Sequence, residues 1–124
     1  MYITIDERDN RPIYHQVADG IKTLIAAGEL RKGSTLPPVR QVAADLGVNQ
    51  NTVAAAYREL QKEGLIRVRH GSGAKVVSQV LANKDDERAE ERLRAVLADL
   101  VLSGRTRSEV LALVNEALTR LARA

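Results

Sequence analysis

A chain of 124 residues is long enough for one domain, or for one small domain and an appendage. It has no cysteine and only two histidines, His15 and His70, which excludes disulfides, thiol catalysis and cysteine-ligated zinc and leaves no histidine-built metal site. A formal charge of +3 permits an anionic partner without demanding one. The excess is unevenly placed. Residues 1–80 hold eleven Lys/Arg against eight Asp/Glu, whereas residues 81–124 hold eight of each. If a polyanion binds, it binds the first part; equally, the split is within the fluctuation of a small count. Aromatics make up only 2% of the chain, so the core must be Leu, Val, Ile and Ala, a composition that favours helices. No apolar run approaches the ~18 residues of a membrane helix. Residues 1–11 show no basic region leading into an apolar core, so the expected compartment is the cytoplasm.

In chain order, Tyr2-Ile3-Thr4-Ile5 alternates and reads as a lead-in strand or an unstructured start. Pro12 suits the first position of a helix, where its missing N–H costs nothing. Tyr14, Val17, Ile21, Leu24 and Ile25 then form a helical stripe that Gly28 ends. His15 lies off this stripe, as a surface residue would. Residues 30–38 read as a turn-rich loop. Pro38 can open a second helix with Val39, Val42, Ala43 and Leu46 inward, and Gly47 stops it by entering a left-handed turn. Asn49 is a good N-cap for a third helix burying Val53, Ala56, Tyr57 and Leu60. Two short helices joined by a Gly-containing turn are the helix-turn-helix signature. Leu65 to Val77 alternates around His70-Gly71-Ser72-Gly73, which reads as a hairpin. A hairpin directly after such a helix is the wing of a winged helix.

A charged linker from Asn83 leads into a helix with Leu93, Val96, Leu97, Leu100 and Val101 on one stripe, ended by Gly104. Thr106-Arg107-Ser108-Glu109 is a capping box. The last helix carries Val110, Leu111, Leu113, Val114, Leu118 and Leu121. This hairpin is too small to bury its own stripes, so they face the first domain or a second copy of the chain. The expected fold is mainly α with a small β-hairpin wing (α+β). Residues 1–80 form a winged helix-turn-helix, and residues 81–124 a two-helix dimerisation arm.

In this fold the start of the third helix meets base edges in the major groove of double-stranded DNA. With Val53, Tyr57 and Leu60 inward, Asn51, Ala54, Ala55, Arg58 and Lys62 face outward and Gln50 leads. Gln and Asn pair with adenine through two hydrogen bonds, and alanines meet a thymine methyl. Arg40 lies near a helix N-terminus, where the dipole disfavours a cation and a phosphate would compensate both. Thr52 can donate to a phosphate or act as a local cap. Arg69 and His70 flank the wing turn, and Gly71 lets its tip approach a groove. Arg67, Arg69 and Lys75 add attraction to phosphates. Tyr57 reads as a core residue with its hydroxyl at the rim, in preference to a base-stacking one.

Leu36-Pro37-Pro38-Val39-Arg40, Leu46-Gly47-Val48-Asn49-Gln50-Asn51-Thr52-Val53, Tyr57-Arg58-Glu59-Leu60, Glu63-Gly64-Leu65-Ile66 and Gly71-Ser72-Gly73 occur in this order. Together they resemble the winged-helix region of GntR-family transcription regulators, over about residues 11–78. The Asn-x-Asn-Thr-Val-x-x-Ala-Tyr form and the short tail are most similar to the YtrA subfamily. The resemblance implies a dimeric bacterial repressor on an inverted-repeat operator, often of a transporter operon. It carries DNA contacts to Arg40, to Asn49, Gln50, Asn51 and Thr52, and to His70 and Gly71. The chain departs from the pattern at Gln50 and Ala54, where many members have Arg, and at Ala74-Lys75-Val76, where Thr-Phe-Val is usual. About forty residues follow the wing, too few for a self-contained ligand pocket, so no cofactor is expected and no effector is named. The alternative is a winged-helix protein-interaction module without specific DNA binding. An enzyme is not expected, because no nucleophile, base and orienting group come together and Gly71-Ser72-Gly73 opens no helix.

Overall fold

Residues 3–69 and 73–121 are described by the computed structural model. The elements in chain order are α1 (Ile13–Ala26), β1 (Thr35–Leu36), α2 (Val39–Leu46), α3 (Gln50–Lys62), β2 (Ile66–Val68), β3 (Ala74–Val76), α4 (Asp86–Leu102) and α5 (Arg107–Leu121). Among the described residues, five helices and one small antiparallel sheet give the mainly α, winged-helix class. The chain divides into two units, Met1–Asn83 and Lys84–Ala124.

The first unit is built on aliphatic periodicity. α1 buries Val17, Ala18, Ile21 and Ile25, and α3 buries Val53, Ala56, Tyr57 and Leu60. α2 contributes Val42 and Ala43, and the sheet region adds Leu36, Leu65, Ile66, Ala74 and Val76. Each large side chain fully removed from water here contributes about 1.5–3 kcal/mol. Val48 lies half-buried against this core, under the turn between α2 and α3. Gly47 makes that turn at φ 70°, and the Val48 N–H donates to the Ala43 carbonyl at 3.0 Å. Only glycine takes this left-handed conformation without strain. Lys22 Nζ meets the buried Glu63 Oε2 at 3.1 Å, tying α1 to the end of α3.

Three expectations are corrected. Residues 30–38 are not wholly loop: Thr35 and Leu36 pair antiparallel with Lys75 and Ala74. The wing hairpin is therefore part of a three-stranded sheet of order β1-β3-β2. A two-residue strand is too short to show a period, and its pairing partner lies about forty residues on. Pro12 and Pro38 do not open their helices from within. Each is the residue before the first helical one, with ψ of 143° and 149°. The fixed proline φ fits that cap position as well as the next. The start of the chain is neither strand nor loose over its described residues. Ile3 and Ile5 pack on the core, and the Gln16 carboxamide accepts from the Asp6 N–H at 2.8 Å and donates to the Asp6 carbonyl at 3.1 Å. Buried Gln16 thus clamps an extended arm without a ladder. His15 is half-buried and stacks on Tyr14 with ring centroids 4.3 Å apart.

In the second unit, the Asp85 side chain caps α4 by accepting from the Arg88 N–H at 3.1 Å. α5 opens on the capping box: Thr106 N–H donates to Glu109 Oε1 at 3.0 Å, and Glu109 N–H donates to Thr106 Oγ1 at 3.2 Å. These bonds hold the Glu109 carboxyl below the usual carboxylate range. Val110 is buried, while Leu97, Leu100, Val114 and Leu121 are half-buried. Leu93, Val96, Val101, Leu111, Leu113 and Leu118 are exposed, as is Leu102.

Candidate nucleic-acid interface

The helix start that would enter a groove is fixed from within. Asn49 has extended φ/ψ, and its side-chain oxygen accepts the Asn51 N–H at 2.7 Å, so it is the expected N-cap. With the core residues of α3 turned inward, Gln50, Asn51 and Arg58 are exposed and Thr52, Ala54 and Ala55 are half-buried. The alternation follows the 3.6-residue turn, which puts polar groups and small methyls on the outer face.

A second group forms where α2, α3 and the wing root converge. An open concavity of about 350 Å³ is lined by Arg40, Gln50 and Arg69, with Tyr57, Val68 and Gly73. The Tyr57 side chain is 1% exposed, and its hydroxyl donates to the Pro37 carbonyl at 2.6 Å. Burial pushes its pKa up to about 12. The ring is thus core, and the hydroxyl links α3 to the chain entering α2. Gly73 closes the wing root at φ 76°. A Cβ there would lie 2.6 Å from the Leu36 carbonyl oxygen, so the close approach of β1 to the wing requires glycine.

Charge supports an anion on this side. Among the described residues, the ion pairs take up Arg8, Arg11, Lys22 and Arg120, and none takes up Arg40, Arg58, Lys62, Arg67, Arg69 or Lys75. Arg67 and Lys75 sit directly opposite each other in the β2–β3 register. Like charges so placed repel, and an anion relieves them. Asp9 and Asp19 both engage the Arg11 guanidinium, raising its pKa and holding that of Asp9 below the usual range.

The structure therefore brings Arg40, Gln50 and Arg69 around one concavity and leaves Asn49, Asn51, Thr52 and Arg58 along α3 outside it. His70 and Gly71 lie outside the described residues. Sequence reasoning missed Val68 and the partner of the Tyr57 hydroxyl, because both depend on where the wing root returns. Among the described residues no group of three or more metal-ligating side chains gathers, and no helix is long and apolar enough to cross a membrane.

The family model described as bacterial regulatory proteins, gntR family, matches residues 13–76, from the start of α1 to the end of β3. The chain belongs to the GntR family. Within it, the HTH-type transcriptional repressor YtrA of Bacillus subtilis is 33% identical over 105 residues, spanning 82% of this chain and 81% of that protein. A transcriptional antiterminator from Listeria monocytogenes EGD-e superposes with a TM-score of 0.75 at 32% identity, over 94% of this chain and 89% of that one. YtrA from Sulfolobus acidocaldarius, a GntR-family transcription factor, does so at 0.63 and 39% identity, over 79% of this chain and 99% of that one. The similarity to YtrA proteins reaches beyond the winged helix into the helical tail. This GntR protein is a DNA-binding transcription regulator of YtrA type and not an enzyme.

Proposed function

We propose that the protein is a dimeric repressor that binds an inverted-repeat operator in double-stranded DNA, and that it acts in the cytoplasm. Residues 1–80 bind DNA, and residues 81–124 dimerise through Leu93, Val96, Leu97, Leu100, Val101, Val110, Leu111, Val114 and Leu118. The carrying observation is that an N-capped helix with an outward polar face stands beside Arg40 and Arg69, which no carboxylate pairs with among the described residues. Gln50 and Asn51 read base edges, and Arg58 follows the groove wall. Arg40 and Thr52 take phosphates, and Arg69, His70 and Gly71 bring the wing to the backbone. The exposed apolar residues of α4 and α5 support dimerisation, since a symmetric pair would cover them. A two-fold axis would set two copies of α3 about 34 Å apart, one turn of DNA. Binding across a promoter represses by excluding polymerase. The similarity to a YtrA repressor supports this direction, and the family resemblance read from the sequence implies a transporter operon as the regulated unit.

Selection from a random duplex pool, with sedimentation of the purified protein, tests the reading. The expected result is an enriched inverted repeat and a dimer mass. A monomer with no enriched sequence refutes it.

A further inference from the structure

The free edge of the wing sheet points to a positioning residue. The Arg69 N–H donates to the Gly73 carbonyl at 2.8 Å, and the Val77 N–H donates to the Leu65 carbonyl at 2.9 Å. Residues 65, 67 and 69 therefore turn their hydrogen-bonding groups toward β3. By the alternation of an antiparallel ladder, Ile66 and Val68 turn theirs away. β2 is the last strand of the order β1-β3-β2, so the sheet supplies no acceptor for the Val68 N–H. Gln61 supplies it: its Oε1, on the last turn of α3, accepts that N–H at 2.7 Å.

This bond joins the helix that would read bases to the strand that carries Arg69, one residue beyond its end. Val68 and Arg69 both line the concavity that also holds Arg40 and Gln50. Gln61 is exposed. At an exposed position water can replace a lost partner, so the bond adds little to stability. What water does not replace is the fixed angle between α3 and β2. We infer that Gln61 is a positioning residue for DNA binding, which sets the wing against the recognition helix and so delivers Arg69 to the phosphate backbone.

The inference rests on the reading of Arg69 as a DNA contact, and the test separates the two. Full-length protein carries Gln61→Leu, Arg69→Ala or both, and affinity is measured by anisotropy on the selected inverted-repeat duplex. Gln61→Leu alone is expected to weaken binding about five-fold, the scale of one fixed hydrogen bond. In the Arg69→Ala background the same change is expected to cost less than about two-fold, because coupled residues are not additive. Amide exchange gives a readout independent of DNA. Val68 should exchange faster in Gln61→Leu, while Arg69, bonded across to β3, keeps its protection. Additive losses, or unchanged exchange at Val68, overturn the inference and leave the Arg69 reading standing. A neutral Arg69→Ala overturns both.

Discussion

Replacing Tyr57 by Phe removes one oxygen and leaves the ring in its core position. The hydroxyl donates to the Pro37 carbonyl at 2.6 Å. Its loss deletes that bond and leaves a part-buried acceptor without its partner. The net cost is about 1–2 kcal/mol. For a unit of this size each 1 kcal/mol lowers the melting midpoint by about 4–8 °C. The pH dependence has a definite sign. Burial pushes the Tyr57 pKa from its ordinary 10.0 to about 12. A raised folded-state pKa means that the folded protein holds the phenolic proton more tightly than the unfolded chain does. The associated stability is complete below pH 10 and is lost as the pH rises toward 12. The Phe variant has no proton to lose there. Urea unfolding of both proteins, at one protein concentration and from pH 7 to 11.5, should therefore show a gap at neutral pH that narrows above 10. Equal stability at pH 7 would refute the role of the hydroxyl, and a gap that stays constant to pH 11.5 would refute its buried titration.

Four further outcomes follow from the same geometry. Arg40→Ala should weaken all sequences alike and flatten the salt dependence of binding by about 0.9 in log–log slope, one phosphate's worth. Anisotropy titrations over a salt series measure it, and an unchanged slope removes the phosphate role. Asn51→Ala should cost about 1–3 kcal/mol at one base pair and relax preference there; a uniform loss on every sequence would place Asn51 away from the bases. Gly47→Ala should destabilise by about 1–2 kcal/mol, because a Cβ at this left-handed position meets nothing within 4 Å and only backbone strain remains. A denaturant midpoint displaced much further would mean that the helix-turn-helix angle had moved. Leu97→Asp should convert a dimer to monomer in sedimentation with the first unit still folded, and an unchanged mass would contradict the assigned dimer face.

Much of the first unit is legible in the sequence because its signals are local. The stripe Val53, Ala56, Tyr57 and Leu60 gives a helix face by spacing alone, and Asn49 and Gly47 punctuate it by their own conformational preferences. Glu109 and Thr106 lie three residues apart, so the capping box is readable too. The missed features are those whose partner is distant. Leu36 becomes a strand residue only when Ala74 arrives beside it. Gln16 looks like a polar interruption of a helix until Asp6 offers both its backbone groups. Gln61 looks like a solvated side chain until the edge of β2 lies against it. At the site the residue types could be named early, whereas the grouping of Arg40, Gln50 and Arg69 around one concavity needed the fold.

The burial pattern of α3 also bears on how such a regulator could change its target. Val53, Ala56, Tyr57 and Leu60 carry the packing, while Gln50, Asn51 and Arg58 are exposed. Exposed positions of that kind usually change folding free energy by no more than about 0.5 kcal/mol. New operators are therefore within reach of single substitutions that leave the scaffold intact, and two duplicated copies could drift to different genes without passing through an unfolded intermediate. Asn49 is the exception. Its side-chain Oδ1 is committed to the Asn51 N–H, so an adenine asking for a paired donor and acceptor would compete with the helix for that atom. Retargeting would be expected to spare this position, or to exchange it only for another capping residue such as Ser or Asp.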